Sequence, residues 1–135
     1  MRKKIIITGG LGYIGTELCK IYSGVSWHHQ IIIIDNRFIS ERVNQIRNWN
    51  MEFVHGDILD KDLVKKYFRD ADIVHHLAGV TDVPRTQGEA TKVKDDNIKL
   101  VGENGTQNIL ETISEKCKII FPSTHVIYEG ISEIK

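Results

Sequence analysis

Four glycines, at 9, 10, 12 and 15, fall within seven residues of one another in the stretch IIITGGLGYIG, residues 5–15. Gly10, Gly12 and Gly15 spell G-x-G-x-x-G, and Thr8-Gly9 with Gly12 and Gly15 spells T-G-x-x-G-x-x-G. A glycine turn between strand and helix can be purely structural. It can also hold a diphosphate, through a tight turn, a backbone bare of Cβ where the phosphates approach, and a glycine that lets the helix press on the sheet. The helix N-terminus then offers unpaired N–H groups and partial positive charge to the anion.

A carboxylate at the end of the next strand decides between these readings. The run IIIIDN ends in Asp35 and Asn36, about twenty residues beyond Gly15, the separation at which an acid reaches adenosine ribose hydroxyls. With strand, turn, helix and acid in sequence, Gly9, Gly12, Tyr13, Ile14, Gly15, Asp35 and Asn36 are expected to hold a dinucleotide. Asp35 would accept from free 2′- and 3′-hydroxyls and repel a 2′-phosphate, which favours NAD over NADP. Arg37 is the counter-signal, since a guanidinium there could pair with that phosphate; otherwise it reads as a solvated loop arginine.

Other chemistry-bearing residues carry less. His28-His29 and His75-His76 are adjacent pairs, so within a strand their side chains point to opposite faces and cannot share one ion. His28-His29 is placed in the loop before the second strand, and His76 near the crevice; no metal is expected. Asp60 and Asp62 read as a helix cap and a first-turn acid. Cys19 and Cys117 match no metal spacing and read as small, buried or half-buried thiols of a reducing cytoplasm. Trp27 and Trp49 are expected to cover the sheet.

The elements that would position these residues alternate from end to end. Strands are expected at Lys3 to Thr8, Gln30 to Asp35, Met51 to His55, Asp72 to Leu77 and Lys118 to Phe121. The first helix, Gly12 to Tyr22, would turn Ile14, Leu18, Ile21 and Tyr22 to the sheet. A second, Ser40 to Trp49, would be capped by Ser40; a third would be capped by Asp60 with Leu63, Val64 and Phe68 inward. A long helix from about Lys92 to Glu115 carries Val101, Ile109, Leu110 and Ile113, with Gly102 and Gly105 weakening its middle. Right-handed crossovers and a switch point after the first strand give an α/β Rossmann-type parallel sheet, order 3-2-1-4-5, with helices on both faces.

Composition agrees with one domain over residues 1–135. Lys plus Arg and Asp plus Glu are 18 each, a formal net charge of zero, so no basic footprint for nucleic acid or an anionic membrane is expected. The longest apolar run, Ile31 to Ile34, is far short of a membrane span.

The chain resembles the extended short-chain dehydrogenase/reductase family, in particular its NAD-dependent nucleotide-sugar epimerases and dehydratases. TGGLGYIG is similar to that family's cofactor turn and IIIIDN to its second strand. GDILD is similar to the G-D-[IL]-x-D segment, which implies Asp57 at the adenine amine and Ile58 on the ring. HHLAG resembles the end of the fourth strand, which implies Leu77, Ala78 and Gly79 along the cofactor's central and nicotinamide-side ribose. NGTQNILE resembles the helix before the fifth strand, and FPSTHVIYEG the segment after it. There the resemblance implies Ser123 near the nicotinamide and Thr124 as the catalytic hydroxyl that bonds the substrate oxygen; both could instead merely cap the strand.

Three departures qualify the likeness. The family's Tyr-x-x-x-Lys base lies beyond Lys135, and none of the tyrosines at 13, 22, 67 and 128 is followed by lysine in that pattern. A phenol of pKa about 10 needs the lysine to act as a base at neutral pH. The family's water-binding asparagine aligns with Gly102, with Asn97 and Asn104 out of register, and Glu129 stands where glycine is usual. Relative to the family the last strands and substrate lobe are absent, so little turnover is expected from these residues alone, and a nucleotide-sugar would bind only with further chain. A non-catalytic dinucleotide-binding regulatory module, or a decayed reading frame, would share the same residues. Self-association through the edge of the fifth strand, or coverage of that edge by the last residues, is also expected.

Overall fold

The computed structural model describes residues 2–78 and 100–122, and the side chains of 100 and 101 are not among those described. Five parallel strands form one sheet: β1 (Lys4–Thr8), β2 (Gln30–Asp35), β3 (Glu52–His55), β4 (Ile73–His76) and β5 (Lys118–Ile120). Their order is β3-β2-β1-β4-β5, as the sequence predicts. Helices α1 (Tyr13–Tyr22), α2 (Ser40–Asn48), α3 (Lys61–Phe68) and α4 (Thr106–Thr112) connect or flank them, with a π-helical turn at Leu100–Gly105 running into α4.

Alternation along the isoleucine-rich strands builds two cores. Ile5, Ile7, Ile31 and Ile33 face one way, onto Leu11, Cys19, Val43, Ile46 and Met51 from α1, α2 and their loops. Ile6, Ile32, Ile34 and Val74 face the other way, onto Val64, Phe68, Ala71 and Ile109 from α3 and α4. A strand buried on both faces has no polar side to show water, which is why β2 reads as an unbroken apolar run. Each buried Ile, Val, Leu, Met or Phe side chain among them contributes about 1.5–3 kcal/mol.

Asp60 caps α3, its carboxylate accepting from the N–H groups of Asp62 and Leu63, an arrangement that contributes about 1 kcal/mol. Val64 and Phe68 beneath it are fully buried and Leu63 half-buried. On α2 the expected cap is corrected. Ile39, in extended conformation, holds the cap position without a side-chain bond, and Ser40 is the first helical residue. Ile39 is tied into the first core, and its packing, rather than a hydroxyl, sets where the helix starts.

Three further expectations change. On α1 the face toward the sheet is Gly15, Leu18, Cys19 and Tyr22, while Ile14 and Ile21 are exposed. The helix seats on its glycine, the one residue that allows close approach, and this rotates the larger apolar residues outward. Trp27 does not cover the sheet and is 77% exposed. Its neighbour Ser26 turns inward instead, its hydroxyl donating to Ser23 O and its backbone carbonyl accepting from the Asn50 amide, whereas Trp49 does pack on the first core. The last helix ends at Thr112, with Ile113 extended and Leu110 exposed; its expected beginning, 92–99, lies outside the described residues. Gly102 and Gly105 fall in the π-helical turn, where the weakened ladder has widened.

Candidate dinucleotide site

The C-terminal ends of β2, β1 and β4 meet where the strand order reverses, with Thr8 opposite Ile34 on one side and His76 on the other. The glycine turn starts at that point. Gly9 has φ +68 and bonds Ile34 O through its N–H at 2.8 Å. A Cβ there would lie 2.8 Å from Ala78 N, so the turn is pressed against the exit of β4. At Gly10 a Cβ would strike Ile33 Cγ2, and at Gly15 it would lie 2.6 Å from both Gly10 Cα and Gly9 O. Gly12 differs: a Cβ there would meet only Gly9 O at 3.4 Å and Arg37 Nη2 at 3.7 Å. That position faces the open side of the turn, where a ligand would approach the backbone.

Gly12 also caps α1 in extended conformation without a side-chain bond, and Thr16 N–H is the first to bond back, to Gly12 O at 2.8 Å. By helix geometry the N–H groups of Tyr13, Ile14 and Gly15 therefore have no intrahelical acceptor. No acid stands in this first turn. Tyr13 is 88% exposed and Ile14 also stands out from the helix. The arrangement suits a diphosphate: orphan donors, the positive helix end and no competing carboxylate.

Asp35 lies across the turn. Its Oδ2 accepts from Leu11 N–H at 3.0 Å, and its Oδ1 accepts from Arg37 N–H at 2.9 Å. The Arg37 side chain folds back as well, Nε to Oδ1 at 3.2 Å and Nη2 to Oδ2 at 3.3 Å. Arg37 is thus ion-paired rather than free in solvent, a correction to the solvated-loop reading. Arg42 of α2, which the sequence reading passed over, donates from Nη1 to Leu11 O, and its guanidinium stands 6.0 Å from the centre of the Tyr13 ring.

The segment after β3 packs beside Asp35. Gly56 N–H bonds Asp35 O at 3.0 Å, and Asp57 Oδ1 accepts from Leu59 N–H at 2.9 Å. Ile58 is buried in the second core against Gly105, and Asn108 donates its amide to Ile58 O at 3.0 Å. Asn108 was not singled out by sequence, where nothing local marks an amide whose partner lies 50 residues away.

Thr8, which the sequence marks only as the start of T-G-x-x-G-x-x-G, holds more together than that motif implies. Its hydroxyl accepts from Leu77 N–H at 3.1 Å and Ala78 N–H at 3.0 Å, which occupies both lone pairs. Its own proton must then go to His76 Nδ1, 2.8 Å away. That assigns the neutral Nε2–H tautomer, whose proton goes to Thr106 Oγ1 at 2.8 Å. Burial holds His76 below its ordinary pKa, consistent with a neutral ring. His75 points to the opposite face, where its Nε2 meets the Tyr22 hydroxyl at 2.6 Å, and burial lowers its pKa too. Cys19 is buried, with its thiol pushed up to about 12 by desolvation, so it is a packing residue rather than a nucleophile.

The structure therefore brings Gly9, Gly12, Tyr13, Ile14, Gly15, Asp35, Asn36, Asp57, Ile58, Leu77 and Ala78 to the same end of the sheet. Gly79, Ser123 and Thr124 lie outside the described residues. Among the described residues, no three of His, Cys, Asp or Glu come together as metal ligands, and no helix is long and apolar enough to cross a membrane.

The reversed strand order, the glycine turn and the acid closing β2 define a Rossmann-type domain. Within that class the chain belongs to the 3-beta hydroxysteroid dehydrogenase/isomerase family, whose sequence model matches residues 6–132. It is 31% identical over 130 residues to UDP-N-acetyl-alpha-D-glucosaminuronate decarboxylase of Bacillus cytotoxicus, covering 95% of this chain and 38% of that protein. It is 36% identical over 123 residues to a putative UDP-glucose 4-epimerase of Methanocaldococcus jannaschii, covering 89% of this chain and 37% of that one. The solved UDP-glucuronic acid 4-epimerase of Bacillus cereus, in complex with UDP-4-deoxy-4-fluoro-glucuronic acid and NAD, superposes with a TM-score of 0.77 at 28% identity, over 93% of this chain and 41% of that one. The chain thus spans about two-fifths of the relatives it matches.

Proposed function

We propose that this chain is the NAD-binding part of a nucleotide-sugar epimerase- or dehydratase-like oxidoreductase. The observation that carries the reading is Asp35, a buried carboxylate at the end of β2 bonded to the glycine turn through Leu11 N–H, two residues before α1 begins. In this reading the N–H groups of Tyr13, Ile14 and Gly15 take the diphosphate, with Gly9 and Gly12 leaving room for it. Asp35 accepts the adenosine ribose hydroxyls, and Asn36, Asp57 and Ile58 border the adenine. Leu77, Ala78, Gly79 and Ser123 line the nicotinamide side, and Thr124 holds and orients a substrate hydroxyl or keto oxygen. When bound, NAD supplies an acceptor that takes up a hydride from a sugar carbon and can return it. We further propose a cytoplasmic setting, whose reducing conditions suit the thiols of Cys19 and Cys117.

A thermal-shift titration tests the reading. NAD⁺ at about a hundred times its Kd is expected to stabilise the fold by about 2.7 kcal/mol, a shift of about 10 °C for a domain of this size. NADP⁺ should stabilise less, and Asp35→Ala should erase most of the NAD⁺ effect. No shift with either nucleotide at millimolar concentration would end the proposal.

Self-association is proposed through β5, the sheet edge on which Ile120 and Phe121 are exposed among the described residues. An unpaired strand edge with apolar residues recruits another strand. Sedimentation velocity should show a concentration-dependent dimer or larger species; a monomer throughout would count against pairing at that edge.

A further inference from the structure

The carboxylate that the proposed function assigns to the adenosine ribose is not open to a ribose. The Asp35 side chain is only 3% exposed. Leu11 N–H covers one oxygen, Arg37 N–H the other, and the Arg37 guanidinium spans both from the solvent side. The same guanidinium reaches toward Gly12, where Arg37 Nη2 would be 3.7 Å from a Cβ, so it stands between the end of β2 and the start of α1. Arg37 is the movable part of this arrangement, with a side chain 54% exposed. A ribose diol can reach Asp35 only after the guanidinium swings away.

We infer that Arg37 is a displaceable plug over the ribose position, and that it sets how sharply the crevice separates NAD from NADP. For NAD, leaving Asp35 is a loss, because the freed guanidinium gains no partner on an unphosphorylated ribose. For NADP, the freed guanidinium finds the 2′-phosphate beside it and forms a charge-assisted, two-pronged contact that offsets the repulsion from Asp35. Arg42, held against Leu11 O and over Tyr13, adds a second positive charge to the same stretch of the turn. The wild-type chain therefore prefers NAD only mildly, and removing Arg37 sharpens the preference. This rests on the dinucleotide reading above and concerns what the Asp35 site discriminates.

The test is calorimetric titration of the full chain with NAD⁺ and, separately, NADP⁺, in the wild type and in Arg37→Ala, Arg37→Gln and Arg37→Lys. Arg37→Ala and Arg37→Gln should bind NAD⁺ about threefold more tightly, the scale of a part-exposed ion pair, and NADP⁺ about tenfold more weakly, the scale of a lost charge-assisted contact. The NAD⁺/NADP⁺ preference then rises about thirtyfold from the two effects together. Arg37→Lys, which keeps the charge without the fork, should recover part of the NADP⁺ affinity. An unchanged preference in Arg37→Ala and Arg37→Gln, or weaker NAD⁺ binding in both, overturns the inference while leaving NAD binding intact. Absence of binding by either nucleotide in wild type and variants alike overturns the proposed function, and this inference with it.

Discussion

Replacing Gly15 by alanine is expected to lower stability by about 1–3 kcal/mol, the range for forcing an extra carbon into a packed contact. The same change should weaken dinucleotide binding at least tenfold. The added Cβ would lie 2.6 Å from Gly10 Cα and 2.6 Å from Gly9 O. Both neighbours are backbone, and both belong to the turn itself, so no side chain can rotate aside. Either α1 lifts off the sheet or the turn opens, and both movements displace the N–H groups that open α1. The loss appears against a helix-propensity gain of about 1 kcal/mol for alanine over glycine, so the steric cost exceeds the net figure. Gly24→Ala is the matched control, because a Cβ at Gly24 meets nothing within 4 Å. Urea unfolding with unchanged m-value checks the first effect and NAD⁺ titration the second. A Gly15→Ala protein as stable as Gly24→Ala would show that α1 does not depend on this contact.

That contact also explains where the sequence was readable and where it was not. Strand alternation, parallel order and the Asp60 cap are properties of local pattern and chirality, so β2 reads residue for residue and the sheet order follows from the crossover rules. The face of α1 is different. Apolar periodicity weights side chains by size, and Ile14 and Ile21 outweigh a glycine, yet the helix seats on Gly15 because backbone meets backbone there. The Ser40 cap failed for a related reason: Ile39 packing decided the boundary. At the site, the glycines and Asp35 were legible because each has a fixed spacing. The polar partners Thr8, Thr106, Asn108 and Arg42 were not, since their roles come from contacts 30 or more residues apart, as between His76 and Thr106, Asn108 and Ile58, or Arg42 and Leu11.

Thr8→Val should be among the most damaging substitutions that preserve shape, at about 3 kcal/mol or more, because it strands buried polar groups rather than leaving a void. The hydroxyl serves three partners at once: Leu77 N–H, Ala78 N–H and His76 Nδ1. A methyl in its place leaves Ala78 N–H and His76 Nδ1 without it, where β1, the turn and the exit of β4 converge, while Leu77 N–H keeps its second acceptor, Thr8 O, at 3.1 Å. Thr8→Ser keeps the oxygen and loses one methyl, so it should cost only about 0.8 kcal/mol; a Thr8→Val protein no worse than Thr8→Ser would overturn the assignment. The pH dependence gives a second, independent readout. His76 is held neutral in the fold, its pKa lowered from 6.5 by burial, while the unfolded chain titrates near 6.5. A depressed histidine contributes stability above pH 6.5 and loses it as pH falls below that value, because the unfolded chain binds the proton first. The Thr8 hydroxyl reinforces this by donating to the neutral ring. In Thr8→Val the His76 pKa, followed by NMR titration, should therefore move up toward 6.5, and the acid-side loss of stability should flatten. A His76 titration identical in wild type and Thr8→Val would mean that burial alone keeps the ring neutral.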